Sequence, residues 1–327
     1  MFVRPRAGLV VLTLVLAAAW GGRVPAQVPP PPEGAPMTPA LKRLLDQNEI
    51  KALIGGIAYA EAPAWRRDGY LLFADSARNR IHRWDAKGGI ALLKEPSGGA
   101  TGLAFDKAGR LLAAEHGNRR VSRTDREGVT VSLADRFEGK RLNSPDDLAV
   151  APSGVIYFTD PPYGLPRQLA GKELDFQGVY RIDTDGRLSV VIRDLPRPNG
   201  IALSPDLGTL YVTDSARSEL WAFPLKPDGT TGAGRVLATI KPWKAGVSGV
   251  ADGLTVDASG RIYVAGPGGV FVFATNGGRL GVISTPEAPS ACAFGDGDGR
   301  GLYITARTRV YKMRMKVPGA WAAVSGR

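Results

Sequence analysis

The chain has 327 residues, a formal charge of +11, 42 glycines, 25 prolines and one cysteine, Cys292. A lone cysteine excludes an internal disulfide, and a chain this long can bury a core without one. Two histidines, His82 and His116, argue against a multi-histidine zinc site or a histidine-based triad, and Lys and Arg residues scattered without a run of five or six argue against a nucleic-acid partner.

Arg4 and Arg6 precede an apolar run from Ala7 to Trp20, and Val24-Pro25-Ala26 ends on a small residue. This is the pattern of an export signal over residues 1–26, with cleavage after Ala26. The run is short for a membrane span, so no stable membrane insertion is expected once it is removed; a retained anchor is the alternative. Loss of Arg4, Arg6 and Arg23 takes the formal charge from +11 to +8. Residues 27–49 read as a Pro-rich linker and a short helix. Thr38 is its cap, Pro39 suits the first turn, and Leu41, Leu44 and Leu45 fall at helical spacing, so the helix is expected from Pro39 to about Asn48.

From residue 50 to 327 one unit recurs: a turn rich in Asp, Gly and Arg, a short apolar strand with a small or acidic end, then a partner strand. Gly69-Tyr70-Leu71-Leu72-Phe73-Ala74-Asp75 is one copy, Gly154-Val155-Ile156-Tyr157-Phe158-Thr159-Asp160 another, and Gly208-Thr209-Leu210-Tyr211-Val212-Thr213-Asp214 a third. The turn glycines at 69, 109, 154, 208 and 260 step by 40, 45, 54 and 52 residues, the period of propeller blades. Six copies give an all-β, six-bladed β-propeller. Lys51 to Ala60, ahead of the first full copy, is expected to complete the last blade and close the ring. The longer gaps at Pro161–Gly178 and Gly232–Gly249 should lie near one mouth of the channel.

Residues that enter each innermost strand point into that mouth. Four of the six entries carry an oxygen donor: Glu61, Asn143, Asn199 and Asp252. Two carboxylates and two amides are hard ligands of the kind calcium takes at flexible coordination number, and the lack of histidine among them argues against a dedicated zinc site. Asn199-Gly200 and Asp252-Gly253 are also ordinary turn dipeptides; the metal reading rests on their shared phase in the repeat. Glu115-His116 follows a repeat strand and could reach the channel or a blade edge; at the far end of its strand it reads first as surface or blade packing. Cys292 reads as a buried small hydrophobe, and Asp296-Gly297-Asp298-Gly299 as a turn, since the rest of an EF-hand is missing.

Glu61-Ala-Pro-Ala-Trp65, Arg141-Leu-Asn143-Ser-Pro-Asp-Asp147, Tyr157-Phe-Thr-Asp-Pro-Pro-Tyr-Gly164, Arg197-Pro-Asn199-Gly-Ile-Ala-Leu-Ser204 and Ala251-Asp252-Gly253 resemble the gluconolactonase/regucalcin/luciferin-regenerating-enzyme family. The resemblance covers about Ile50 to Met315 and implies one divalent cation at the channel mouth, usually calcium with zinc, manganese or magnesium as alternatives, and hydrolysis of a small-molecule sugar lactone. It makes Glu61, Asn199 and Asp252 metal ligands, Asn143 a residue that touches the metal through water or contacts substrate, Arg141 a substrate-binding residue and Asp252 the general base. Asp146 stands where many relatives have Asn, which bears on the choice of substrate. The expectation is an exported, periplasmic or secreted, cation-dependent lactonase. A hydrolase of organophosphates or aryl esters on the same scaffold and a non-enzymatic binding propeller are the alternatives.

Overall fold

The computed structural model describes residues 37–320; the expected export signal and most of the Pro-rich linker lie outside them. Six four-stranded antiparallel sheets are arranged around an axis. Their innermost strands are Ala60–Arg66, Ala100–Phe105, Leu148–Val150, Pro198–Leu203, Leu254–Val256 and Pro289–Gly295. Each touches the next, and the sixth touches the first. The ring is closed, as the repeat requires. Second strands such as Ile156–Asp160, Ile262–Gly266 and Gly301–Ala306 are buried along their whole length. Neighbouring blades cover both faces of these strands, and the sequence therefore shows unbroken apolar runs there instead of alternation.

Closure comes from Lys51–Gly55, which pairs antiparallel with Arg309–Arg314 and sets Ala52 opposite Tyr311. It is the outermost strand of the sixth blade. The strand stops at Gly55, short of the expected Ala60, because Ala60 already begins the innermost strand of blade one. Sharing one sheet between the two ends of the ring leaves no seam to open.

The helix is shorter than its leucine spacing implies. It spans Pro39–Lys42, with Thr38 Oγ1 accepting from the Leu41 N–H at 3.2 Å. Beyond it the backbone pairs with the C-terminal strand region: Asp46 N donates to Arg314 O at 3.0 Å, and Lys316 N to Leu44 O at 2.9 Å. Leu41 and Leu45 are buried against Tyr263, Val272 and Met313. Sheet-like pairing thus overrides helical propensity, which is a weak local preference. Two 3₁₀ turns, Ser76–Arg78 and Pro166–Gln168, also occur, and among the described residues no helix is long and apolar enough to cross a membrane.

The Thr-Asp ending of the repeat has a mechanical cause. Asp75, Asp160 and Asp214 are fully buried and hold the loop that enters their own blade. Asp75 accepts from Ala58 N and Tyr59 N, both at 3.1 Å, Asp160 from Asn143 N at 2.8 Å, and Asp214 from Arg197 N at 3.2 Å. The preceding threonines tie blade to blade. Thr159 Oγ1 donates to Asn199 O at 2.6 Å, and Thr213 Oγ1 to Asp252 O at 2.9 Å. Buried donors and acceptors left unpaired are costly, so each such pair specifies where its neighbour sits. In blade two Glu115 takes the acid's place and binds Arg120 Nε at 2.8 Å together with Ser122 and Asn118.

Candidate active site at the channel mouth

All six innermost strands run the same way along the axis, so their N-terminal ends share one face. One residue at or just before the start of each is in register there: Glu61, Thr101, Asp146, Asn199, Asp252 and Ser290. Each is followed by one residue and then by Pro63, Leu103, Leu148, Ile201, Leu254 or Cys292. All six line an axial cavity of about 830 Å³, large enough for a monosaccharide. Its opposite end is formed by turn residues including Lys107, Arg126 and Pro152.

The residue between is small in five of the six entries, and the reason is blade spacing. A Cβ on Gly200 would sit 2.5 Å from the Asp252 carbonyl oxygen and 2.7 Å from Gly253 Cα; one on Gly253 would sit 2.6 Å from Ala291 Cβ. Asn199-Gly200 is therefore no turn dipeptide. It lies within the strand Pro198–Leu203, and the absent side chain lets blades four and five close up. The sixth entry has Asp147 instead, whose carboxylate reaches blade four and accepts from Ile201 N at 3.2 Å. Burial pushes Asp147 up to about 7 even so.

Glu61 and Asp252 come from blades one and five. Burial raises both carboxyls well above the carboxylate range. Asp252, Asp146 and Asp147 add to the rise at Glu61, and Asp146 and Asp147 add to it at Asp252. Hydrogen bonds with the Asn199 side chain and the Gly253 N–H only partly offset this at Asp252. The largest charge influences on Glu61, Asp147 and Asp252 come from other acids. Tyr59 beside them is pushed up to about 12, by burial first and then by Glu61 and Asp252. Clustered acids that raise one another are what a bound cation would relieve.

The orientation of Asn199 is fixed by its neighbours. Ser215 Oγ donates to Ala251 O at 2.6 Å, so it must accept from Asn199 Nδ2 at 3.1 Å. That assigns the amide nitrogen and leaves Oδ1 as the free acceptor. Among the described residues no three His, Cys, Asp or Glu side chains are grouped to hold a metal. The fitting set is instead two carboxylates and an amide oxygen, Glu61, Asp252 and Asn199, a hard all-oxygen set.

Two expected residues lie elsewhere. Asn143 is fully buried, and its Nδ2 donates to Asp160 O and Phe176 O, both at 3.0 Å. It braces the loop behind the mouth, while Asp146, three residues on, holds the lining position expected of it. Arg141 sits on a short ribbon, Lys140–Arg141 against Arg136–Phe137, and its guanidinium donates to Asn118 O at 3.0 Å; neither residue lines the cavity. The long loop from Pro161 does pack here, with Ser144 Oγ donating to Pro161 O at 2.6 Å and accepting from Gly164 N at 2.9 Å.

His116, read from the sequence first as surface or blade packing, stands at the site. Its Nε2 lies 2.8 Å from Asp146 Oδ1, whereas its neighbour Glu115 is buried blade packing. The available signal was a second phase: the residue just after the strand-terminal acid. Ser215 occupies the same place after Asp214 and holds Asn199. Cys292 is 4% exposed, and burial drives its thiol up, as a small hydrophobe should behave. Asp296 and Asp298 pair with Lys312 and Arg314 in a turn far from the donors.

The family model described as the SMP-30/Gluconolactonase/LRE-like region matches residues 59–308. A gluconolactonase of Zymomonas mobilis is 35% identical over 306 residues, 86% of each chain. A 6-deoxy-6-sulfogluconolactonase of Pseudomonas putida is 30% identical over 253 residues, 75% of this chain and 82% of the relative. The solved structure of a gluconolactonase from Xanthomonas campestris superposes with a TM-score of 0.80 at 35% identity, covering 88% of this chain and 95% of that one.

Proposed function

The chain belongs to the SMP-30/gluconolactonase/LRE-like family, and from that premise we propose that it hydrolyses neutral sugar lactones such as gluconolactone at the channel mouth, with a divalent cation as cofactor. The carrying observation is the convergence of Glu61 and Asp252, distant in sequence, on one cavity where each carboxyl is raised by burial and by its acidic neighbours.

Glu61, Asn199 and Asp252 would hold the cation, with calcium first on the chemistry of the donors and zinc, manganese or magnesium as alternatives. When bound, it supplies Lewis-acid polarisation of the lactone carbonyl. Asp252 accepts a proton from the attacking water while the water oxygen bonds to the carbonyl carbon. The ring C–O bond then breaks, its electron pair stays on the ring oxygen, and that oxygen takes up a proton to give the hydroxy acid. Asn199 stays oriented through Ser215, and Thr213 and Gly200 fix the Asp252 backbone against blade four. Arg141, with Asn143 behind it, is assigned to substrate approach and not to proton transfer, since a guanidinium stays charged.

The test is acid release from glucono-δ-lactone by chelated protein, before and after calcium, manganese or zinc is restored. Turnover should return with a cation and fall at least about 100-fold in Asp252→Ala. No turnover with any cation, or an unchanged rate in the variant, contradicts the reading. Export is proposed separately from the charged-apolar-small pattern of residues 1–26. Mature protein beginning at Gln27 in the periplasm or medium is expected, and an intact N-terminus contradicts it.

A further inference from the structure

We propose that His116 is a positioning residue of this site, holding the Asp146 carboxylate in one orientation toward the hydroxyl groups of the substrate; this rests on the lactonase reading above. Asp146 lines the cavity, and its charge bears on Glu61, Asp252, Tyr59 and Tyr163. The carboxylate therefore faces the space where the other acids meet. Opposite it stands His116, with Nε2 to Oδ1 at 2.8 Å and side chains 16% and 10% exposed. Nε2 stands against Oδ1 without an aligned hydrogen bond at this ring angle; a turn of the ring completes it, which leaves the other oxygen to accept hydrogen bonds from a polyhydroxylated ring.

The backbone at Asp146 is held without His116. Its N–H donates to Thr159 O at 2.9 Å, and its carbonyl accepts from Thr101 Oγ1 at 3.0 Å. Loss of the imidazole frees the carboxylate and leaves the strand in place. His116 itself has a shaped seat between blades two and three. Its N–H donates to Gly99 O at 2.9 Å, and a Cβ on Gly164 would sit 2.6 Å from its Cβ. Two backbone segments from different blades thus set where the ring can lie. A carboxylate released among three other acids would turn away from them toward solvent, and its hydroxyl-binding geometry would be lost.

The experiment compares glucono-δ-lactone with δ-valerolactone, which has the same ring and no hydroxyl groups. His116→Ala should raise KM for gluconolactone about tenfold, the effect of losing a hydrogen bond to a charged group, with kcat and all valerolactone parameters near wild type. His116→Gln, whose amide can donate to Asp146, should recover most of the loss. Gly164→Ala, which keeps the imidazole but displaces it, should shift the same ratio in the same direction. Asp146→Ala should lower the gluconolactone-to-valerolactone ratio of kcat/KM at least as far as His116→Ala does, and adding His116→Ala to it should lower that ratio no further. A wild-type ratio of the two kcat/KM values in His116→Ala overturns the inference, and so does a loss shared equally by both substrates, which marks a blade staple. Absence of turnover of either lactone by the wild-type protein overturns the lactonase reading and this inference with it.

Discussion

Gly200→Ala adds a single methyl group, yet it should disturb both the stability of the ring and the chemistry at its mouth. The new Cβ would lie 2.5 Å from Asp252 O, 2.7 Å from Gly253 Cα and 2.9 Å from Leu254 Cδ2. Only the leucine methyl can move cheaply; the first two are backbone atoms of the neighbouring blade. Overpacking of this kind typically costs about 1–3 kcal/mol, and two fixed contacts place this case at about 3 kcal/mol. For a domain of this size that is a fall in Tm of roughly 6 °C. The strain is relieved by pushing blade five away from blade four, which separates Asp252 from Asn199. Because misplacement by about 1 Å can remove 100-fold of rate, kcat for gluconolactone should fall at least about tenfold although no catalytic group is altered. Gly297→Ala is the control, since a Cβ there meets nothing within 4 Å. Differential scanning fluorimetry and lactone titration read the two effects. A Gly200→Ala protein with wild-type Tm and wild-type kcat would refute the close blade approach on which the convergence of donors depends.

The acids at the mouth and behind it make stability pH-dependent. Asp147 and Asp160, both pushed up to about 7 by burial, bind protons more tightly folded than unfolded, so their contribution is complete below about pH 4 and is lost as pH rises through about 7. Chelated protein should therefore show a lower Tm at pH 8 than at pH 5, a difference that calcium narrows; a Tm that rises over this range contradicts the burial of these groups. Asp75→Ala removes the acceptor for the Ala58 and Tyr59 N–H groups and should destabilise the protein by about 2–4 kcal/mol, measured by urea denaturation, with an unchanged midpoint as the contrary result. Cys292, buried and with its thiol driven up, should resist iodoacetamide in the native protein and react once unfolded, as mass spectrometry would show.

The six blades were legible because each one needs the same turn and the same doubly covered strand, so packing physics wrote one pattern six times. The closing strand Lys51–Gly55 was legible for the opposite reason: it is an apolar segment with no repeat of its own. The helix was overestimated because leucine spacing does not reveal that Leu44 and Asp46 have backbone partners at the other end of the chain. Phase in the repeat pointed to Glu61, Asn199 and Asp252, which line the cavity, and to Asn143, which does not. Counted back from Leu148 as from Ile201 and Leu254, the phase selects Asp146; counted over the polar entry it fell three residues upstream, on Asn143, whose Nδ2 holds the Asp160 and Phe176 carbonyls. His116 was set second because it follows the second strand of its blade, Leu111–Glu115, and its local sequence does not distinguish a strand end at the mouth from one at a blade edge.

The most direct measurement is an anomalous difference map from a crystal soaked in manganese, compared with the same soak of Glu61→Gln. One peak per chain is expected, bounded by Glu61, Asn199 and Asp252 at the roughly 2.0–2.6 Å distances of divalent-ion coordination by oxygen, weakened or absent in the variant. A peak elsewhere, or one that Glu61→Gln leaves intact, would contradict the claim that the closed ring gathers these three side chains around one ion.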